Sequence, residues 1–490
     1  MTEPERATDG RLTRRRLIGA GAVGAAGYAL AAPAGTAAAA GARKVDVIVV
    51  GAGLAGLAAG RRLKQAGRSF VVLEARERVG GRILNLDLGH GKVVEIGGQW
   101  VGATQNRVLN LIKQLGLRTF KTFVDGDNLY HRNGSLERYT GTVPPVDPAV
   151  LAELANVLAE TDSMAAQVPR EAPWDAASAL EWDSQTAETW KLEHVLRQET
   201  RDLYDLAIAS VFAAEPRDLS LLGVLFYTHA AGSFENLINT AGGAQDSRIV
   251  GGSQQIAIRL ARRLGRSVLL DAPVREIDHG RGRVEIATAR GRFLGKRAII
   301  AMAPAMASRI RYSPPLPARR DQLTQHVPMG TVIKCMAVYD RPFWREAGLS
   351  GMATSNTGPV KLTFDNSPPD GRPGVLLGFA EGQEGRNLLA ASKPKRRARV
   401  LASFERYFGA KARTDARRYI DKSWAADPWT RGCYVGYFPP GVLVGYRDAL
   451  RASVDRLHWA GTETATEWNG YMDGAIQSGY RAASEALERL

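Results

Sequence analysis

A chain of 490 residues is too long for one hydrophobic core, so the sequence predicts two domains. Its 45% hydrophobic and 23% charged residues are typical of an ordinary soluble globular protein. The net charge of +15 does not indicate a nucleic-acid partner, because the basic residues are scattered and no nucleic-acid motif is present. Two cysteines exclude a disulfide framework, and seven histidines without ligand spacing predict no metal site.

The first 40 residues have the pattern of a twin-arginine export signal. A polar start, residues 1–12, is followed by three consecutive arginines within Thr13–Gly19 and by a weakly hydrophobic stretch of Gly and Ala that reaches Ala32. The small residues Ala37–Ala40 are suited to cleavage. We expect an exported protein, periplasmic or extracellular, with no stable membrane anchor once the signal is removed. An uncleaved anchor and a leader that starts no transport are the alternatives.

The next segment predicts a βαβ unit that binds a dinucleotide. Val45–Val50 is a nearly continuous apolar run, which is typical of a strand buried on both faces. It leads into a G-x-G-x-x-G motif at Gly51, Gly53 and Gly56, then a helical pattern and a second apolar strand that ends at Glu74. The glycines allow a tight turn, a close approach to a pyrophosphate and helix–strand packing, while the acid accepts hydrogen bonds from ribose hydroxyls. The alternative is a glycine-rich turn that binds nothing.

The residues after this unit indicate which dinucleotide binds. Residues 76–82 complete an E-x-R-x-x-x-G-G-R pattern that begins at Glu74, and they add a second close backbone approach and cations for the same pyrophosphate. Another glycine pair, Gly97-Gly98, follows the predicted strand Val93–Ile96. The pattern resembles the FAD-binding signature of the flavin amine oxidase superfamily, so FAD is the expected cofactor.

Later segments alternate between two predicted domains. Helical patterns dominate residues 120–250, with long amphipathic stretches around Val150–Glu160 and Lys191–Phe212. We predict an α/β fold in which a Rossmann-like FAD-binding domain of the amine oxidase type carries an inserted α+β substrate domain. The expected FAD-binding domain comprises residues 41–118, 250–323 and 427–490, and the expected substrate domain comprises residues 119–249 and 324–426.

From Val45 to Leu490 the chain resembles the flavin-containing monoamine oxidase family. The resemblance is carried by Gly97–Gly102 (GGQWVG), Gly251–Gln255 (GGSQQ), Val332–Trp344 (VIKCMAVYDRPFW), Gly432–Leu443 (GCYVGYFPPGVL) and Trp459–Ala475 (WAGTETATEWNGYMDGA). It implies a small-molecule amine as substrate and oxygen as electron acceptor. The sequence leaves open whether the chain forms a homodimer.

The resemblance also assigns the residues of the site. Tyr434 and Tyr471 match the aromatic walls that hold the amine, and Lys334 matches a lysine that holds a water near flavin N5 and can stabilise the charge that develops on oxygen. Core aromatic residues and a surface lysine are the alternative interpretations. The implied cofactor-binding residues are Gly51, Gly53, Leu54, Ala55, Gly56, Glu74, Ala75, Arg76, Gly81, Arg82, Gly97, Gly98, Gln99, Trp100, Val274, Trp424, Cys433, Gly461, Thr462, Glu463 and Met472. The implied substrate cavity is lined by Ser210, Val211, Ile238, Gln245, Leu362 and Phe379.

Two features concern cofactor attachment and specificity. Cys433 matches the cysteine that is bonded to flavin in monoamine oxidases, although some bacterial relatives lack it, and a buried core cysteine is the alternative. Ser210 and Leu362 stand where larger aliphatic and aromatic residues occur, which predicts a differently shaped entrance. None of the six cavity residues is acidic, which argues against a diamine substrate.

The expected reaction is the oxidative deamination of a primary arylalkyl or alkyl monoamine to an aldehyde, ammonia and hydrogen peroxide. Four alternatives stay open. The enzyme alternatives are an oxidase of polyamines or putrescine, a nicotine-type oxidase of secondary amines, and an L-amino-acid oxidase, which would need an arginine near the aromatic walls. The remaining alternative is a flavoprotein that has lost catalysis.

Overall fold

Two large β-sheets organise residues 42–490, the part of the chain that the computed structural model describes. The predicted export signal, residues 1–40, lies outside the described residues. The strands, in chain order, are β1 (Arg43–Val50), β2 (Phe70–Leu73), β3 (Asn85–Gly89), β4 (Lys92–Glu95), β5 (Thr119–Lys121), β6 (Asp127–Arg132), β7 (Ser135–Tyr139), β8 (Ser247–Ile249), β9 (Val268–Leu269), β10 (Glu276–Asp278), β11 (Val284–Thr288), β12 (Gly291–Ala301), β13 (Arg311–Ser313), β14 (Val332–Tyr339), β15 (Leu349–Ser355), β16 (Leu362–Asp365), β17 (Gly374–Glu381), β18 (Arg418–Ser423) and β19 (Leu457–Ala460).

The α-helices fill the connections between these strands and most of residues 148–238. In chain order they are α1 (Leu54–Gln65), α2 (Asn106–Gln114), α3 (Pro148–Ala165), α4 (Ala179–Ser184), α5 (Ala187–His194), α6 (Gln198–Phe212), α7 (Leu221–Ala231), α8 (Phe234–Ile238), α9 (Gln254–Leu264), α10 (Pro304–Ala307), α11 (Ala318–Gln325), α12 (Phe343–Glu346), α13 (Gly382–Leu389), α14 (Lys393–Phe408), α15 (Lys411–Thr414), α16 (Val442–Tyr446) and α17 (Met472–Glu488). Among residues 42–490, no helix is both long enough and apolar enough to cross a membrane.

The larger sheet is built around β1. Its strands run in the order β13-β10-β11-β12-β1-β2-β9, and β19 pairs with β12 beside this path. β1 is parallel to both neighbours, with Val47 opposite Phe70 of β2 and Arg297 of β12. Val47 has no exposed surface, as expected of a parallel strand that helices cover on both faces. The predicted βαβ unit is confirmed by this pairing and by α1, which connects β1 to β2.

Close packing of α1 on the sheet requires glycine at Gly56. A Cβ atom at this position would lie 1.9 Å from the carbonyl oxygen of Gly51 and 3.3 Å from the Cβ of Ala301 on β12. Any side chain would therefore push α1 away from the sheet.

The second large sheet has seven strands in the order β18-β14-β17-β16-β15-β6-β7, and only the pair β15–β6 is parallel. Its strands come from residues 127–139 and 332–423, whereas those of the larger sheet come from residues 43–73, 268–313 and 457–460. Residues 42–490 form one compact unit, so the exact domain boundaries given by the sequence stay predictions.

One helical stretch that the sequence presents as continuous is two helices. Lys191–Phe212 is interrupted between α5 and α6. The carboxylate of Glu153 on α3 accepts hydrogen bonds from the backbone N–H groups of Leu196 (2.8 Å) and Arg197 (3.1 Å). Because these N–H groups are satisfied by a side chain from another helix, the chain can start a new helix here.

Candidate active site

A cavity of about 780 Å³ lies between the carboxyl ends of the larger sheet's strands and the strands β14, β16 and β17 of the second sheet. Ligands of parallel α/β sheets bind at this edge. Every residue that the sequence assigns to the site lines the cavity, except Gly56 and Glu463. Gly56 lets α1 pack closely on the sheet, and Glu463 is hydrogen-bonded to Arg82, which lines the cavity.

The end of the cavity at α1 presents backbone N–H groups. Gly51 has a φ of +100°, a conformation in which a side chain is strained. Gly53 precedes α1 without a side-chain cap, and the first turn carries no acid, so N–H groups are available to a phosphate. Glu74 accepts hydrogen bonds from the N–H groups of Ala52 (2.8 Å) and Arg76 (3.0 Å). A carboxylate has about four acceptor positions, so Glu74 can hold this turn and still accept a ligand hydroxyl.

A contact between two further cavity residues was not predicted from the sequence. Arg275 and Trp429 both line the cavity, and the guanidinium lies 4.6 Å from the centre of the indole ring. Arg76 donates hydrogen bonds to Asp427 (2.7 Å) and Thr430 (2.6 Å), which ties the loop of Trp429 to the end of β2.

A buried ion pair supports the middle of the cavity. Arg82 donates hydrogen bonds to both carboxylate oxygens of Glu463 (2.6 and 3.1 Å) and to the carbonyl oxygen of Tyr434 (3.0 Å). The Glu463 side chain has no exposed surface and also accepts the N–H of Gly436. Burial opposes ionisation of Glu463, but Arg82 outweighs it and holds the pKa of Glu463 below its ordinary value. Glu463 therefore acts through Arg82 rather than at the cavity wall.

Lys334, the third residue of β14, carries a buried amino group at the cavity. Its Nζ donates hydrogen bonds to the carbonyl oxygen of Gly97 (2.9 Å) and to the side-chain oxygen of Gln99. Gln99 in turn donates to Asn366 (2.7 Å), so the whole group is fixed in place. Burial lowers the pKa of Lys334 to about 7. Because this value lies near neutrality, Lys334 can hold or release a proton at the cavity wall.

Aromatic side chains form part of the cavity wall. Tyr434 lies edge-on to Phe379, with ring centres 5.9 Å apart, and Tyr471 lies edge-on to Trp468, with ring centres 5.0 Å apart. Burial raises the pKa of both tyrosines, so both hydroxyls are neutral. Trp424 donates its indole N–H to the carbonyl oxygen of Ile96 (2.9 Å) and is thereby fixed.

The predicted substrate residues also line this cavity. Ser210 and Gln245 use their donors internally, to the carbonyl oxygens of Ala207 (2.8 Å) and Leu237 (3.0 Å). The side-chain oxygen of Gln245 is buried without a hydrogen-bond partner among residues 42–490. This oxygen is therefore an acceptor that suits the N–H or O–H of a small ligand.

Glu381 and Tyr227 are two further cavity residues with polar groups that the sequence did not assign to the site. Glu381, the last residue of β17, accepts a hydrogen bond from the Tyr434 hydroxyl (2.6 Å). Burial raises the pKa of Glu381 to about 8. Tyr227 on α7 lies 6.0 Å from the ring of Tyr471 and 4.6 Å from that of Phe212. In the sequence, Glu381 is distinguished only as a single acid after the apolar run Gly374–Ala380.

Comparison with known proteins identifies the class. Residues 54–487 match the family described as flavin containing amine oxidoreductase. An amine oxidase [flavin-containing] of Oncorhynchus mykiss is 37% identical over 449 residues, which are 91% of this chain and 86% of the relative. Among solved structures, wild-type putrescine oxidase bound to putrescine has a TM-score of 0.88 at 36% identity, covering 92% of this chain and 100% of that chain. Cyclohexylamine oxidase from Brevibacterium oxydans IH-35A has a TM-score of 0.86 at 32% identity, covering 91% and 99%.

The chain therefore belongs to the family of flavin-containing amine oxidoreductases. The expected fold, enzyme class and FAD cofactor are thereby confirmed. The cavity fits FAD on structural grounds, because the uncapped N-terminus of α1 faces it and Gly51 has a positive φ that favours glycine. A Cβ on Gly81 would lie only 3.3 Å from the Cα of Gly53, so the two loops approach as closely as a pyrophosphate site requires.

Proposed function

We propose that this oxidase acts on a primary arylalkyl or alkyl monoamine and yields an aldehyde, ammonia and hydrogen peroxide. The observation that carries the proposal is the presence of Tyr434 and Tyr471 on one cavity whose wall also contains the buried Lys334. FAD held in this cavity would supply a hydride acceptor for the amine α-carbon and a carrier of electrons to oxygen.

The side chains of this protein bind and orient the amine in the proposed reaction. The faces of Tyr434 and Tyr471 hold the amine, and the apolar side chains of Val211, Ile238 and Leu362 bind its organic part and exclude water. Water then hydrolyses the imine outside this apolar region. Lys334 holds a proton at Nζ and stabilises negative charge as oxygen is reduced.

A diamine is the second candidate substrate, and Glu381 favours it. The sequence argument against diamines rested on six cavity residues without an acid, but Glu381 also lines the cavity. A carboxylate there can pair with a second ammonium group. A solved neighbour is named as a putrescine oxidase, and another is named as a cyclohexylamine oxidase, whose substrate is a monoamine.

Hydrogen peroxide release from a substrate panel tests the proposal. The panel contains benzylamine, phenethylamine, tyramine, cyclohexylamine, putrescine, spermidine, nicotine and several amino acids, and peroxide is measured with a coupled peroxidase. We expect the monoamines to have the highest kcat/KM. Activity confined to putrescine and spermidine would replace the monoamine assignment by the diamine one. Activity confined to nicotine or amino acids would contradict both.

We further propose that Cys433 bonds covalently to the flavin. Cys433 lines the cavity, whereas Cys335 is fully buried in the core. Burial raises the pKa of the Cys433 thiol to about 12, and the nearby Arg82 partly offsets this by favouring the thiolate. After acid precipitation, the wild-type protein and a Cys335→Ala control should keep yellow colour in the pellet, whereas Cys433→Ala should release all flavin to the supernatant. Release from the wild type would contradict a covalent bond.

We also propose export through the twin-arginine pathway, which rests on residues 13–40 of the sequence. In a bacterial host with this pathway, the full chain should reach the periplasm or the medium in a shortened form. The double substitution Arg14→Lys and Arg15→Lys should retain it in the cytoplasm. Equal distribution of the two forms would contradict the proposal.

A further inference from the structure

Glu381 places a carboxyl group in direct contact with an aromatic wall of the cavity. Tyr434 donates its hydroxyl hydrogen to Glu381 over 2.6 Å, and both residues line the cavity. Val332 of β14 lies opposite Glu381 in the sheet, which fixes the end of β17. The carboxyl group is thus held one hydrogen bond from the hydroxyl of Tyr434, a residue that the proposed function places beside the amine.

The surroundings of Glu381 provide no direct counter-ion. Lys361, just before β16, is the cation that acts on it, and this effect only partly offsets burial. On α13, Arg386 pairs instead with Glu215 (2.6 Å). On β14, Lys334 is bound to Gly97 and Gln99. Among residues 42–490, Glu381 forms no salt bridge, so its charge depends on what enters the cavity.

The chemistry of amine oxidation requires a group with this property. A free amine is mostly an ammonium ion at neutral pH, since alkylammonium groups have a pKa of about 10. Hydride can leave the α-carbon only when the nitrogen lone pair is available, so the ammonium must first lose a proton. We propose that Glu381 accepts this proton through the hydroxyl of Tyr434. The inference rests on the proposed oxidation of an amine.

The transfer is balanced within the site. The ammonium N–H bond breaks and a new O–H bond forms on Tyr434, while the original Tyr434 hydroxyl hydrogen moves to a carboxylate oxygen of Glu381. The products are a neutral amine, an unchanged tyrosine and a neutral carboxylic acid. Because both charges disappear together, no unpaired charge stays in the cavity once the amine has displaced water. Glu381 thus acts through Tyr434 as a positioning and proton-accepting residue.

The pH profile of flavin reduction tests this role. In anaerobic stopped-flow experiments with benzylamine, the ratio of the reduction rate constant to the amine Kd in the wild type should rise to about pH 8 and fall again above the pKa of the amine, because the productive complex forms from carboxylate and ammonium. In Glu381→Gln, which keeps a hydrogen-bond acceptor but cannot take the proton, the ratio should rise up to the amine pKa and then level off. Near pH 8 it should be at least about tenfold below the wild type, because most of the benzylamine is still an ammonium ion there.

Two further variants separate this role from a structural one. Glu381→Asp should restore a profile with two limbs, and Glu384→Gln, outside the cavity on α13, should match the wild type. Identical profiles of wild type and Glu381→Gln would overturn the inference. If no amine reduces the wild-type flavin, the proposed function itself fails. Loss of putrescine oxidation alone, with the benzylamine profile intact, would overturn the inference and support the diamine candidate.

A spectroscopic measurement reads the proton without turnover. α,α-Dimethylbenzylamine has no α-hydrogen and cannot be oxidised. Its binding to the holoenzyme at pH 9 should produce the infrared C=O band of a protonated carboxyl group, and this band should be absent in Glu381→Gln. A wild-type spectrum without the band would overturn the inference.

Discussion

Replacing Lys334 by methionine is expected to slow the reaction of the reduced enzyme with oxygen by about 100-fold while flavin reduction by the amine changes little. Methionine fills a similar volume but removes the ammonium that Gly97 and Gln99 hold at the cavity wall. Reduction of oxygen creates negative charge, and a fixed cation in a buried site stabilises it far more than water-exposed charges do. Stopped-flow measurement of the two half-reactions separates the effects.

The pH dependence provides an independent check on Lys334. Burial lowers the pKa of this residue to about 7, so its cationic form is present at lower pH and is lost as the pH rises. Reoxidation of the wild-type enzyme should therefore slow above about pH 7, and Lys334→Met should lack this limb. Lys411→Met, on α15, removes an exposed lysine that does not line the cavity and serves as the control. Equal slowing of both half-reactions by Lys334→Met would contradict the assigned role.

The fold was predictable where its cause is local. After Asp46, the run Val45–Val50 contains no polar residue, so neither face of the strand is suited to solvent. Gly51 and Gly56 of the motif that follows are required because a Cβ atom at either position would collide with backbone atoms. The break between α5 and α6 was not predictable, because Glu153 lies about forty positions earlier and nothing in the interrupted stretch reveals its approach. The parallel pairing of β6 with β15 likewise depends on tertiary packing alone.

The site shows the same distinction between local and distant causes. Lys334, Tyr434 and Tyr471 were predictable because each lies within a recognisable sequence motif, and all three line one cavity. Tyr227 was missed because α7 is apolar and buried nearly all round, so no face of the helix stands out. Glu381 was missed because a single acid at the end of a strand has no meaning until its hydrogen-bond partner, fifty-three positions later, is known.

Breaking the ion pair behind the cavity is expected to have the largest effect on stability. Glu463→Gln preserves shape, but its amide NH₂ group must face one of the two Arg82 nitrogens that the carboxylate now accepts from. Two donors then oppose each other, and Arg82 is left as an uncompensated cation beside a side chain with no exposed surface. Removing one partner of a buried pair destabilises a protein by about 3–5 kcal/mol. Urea denaturation should show this loss as a lower midpoint.

The same substitution should weaken flavin binding, because Arg82 also lines the cavity and holds the carbonyl oxygen of Tyr434. Flavin retention during gel filtration is measured in a Cys433→Ala background, where a covalent bond cannot mask the effect. The control is Glu467→Gln, whose pair with Arg107 is about one-third exposed and should contribute less than about 1 kcal/mol. If both variants shift the urea midpoint equally, the Arg82–Glu463 pair does not support the site. If only Glu463→Gln loses both stability and flavin, the ion pair links the loop of Gly80, Gly81 and Arg82 to cofactor binding.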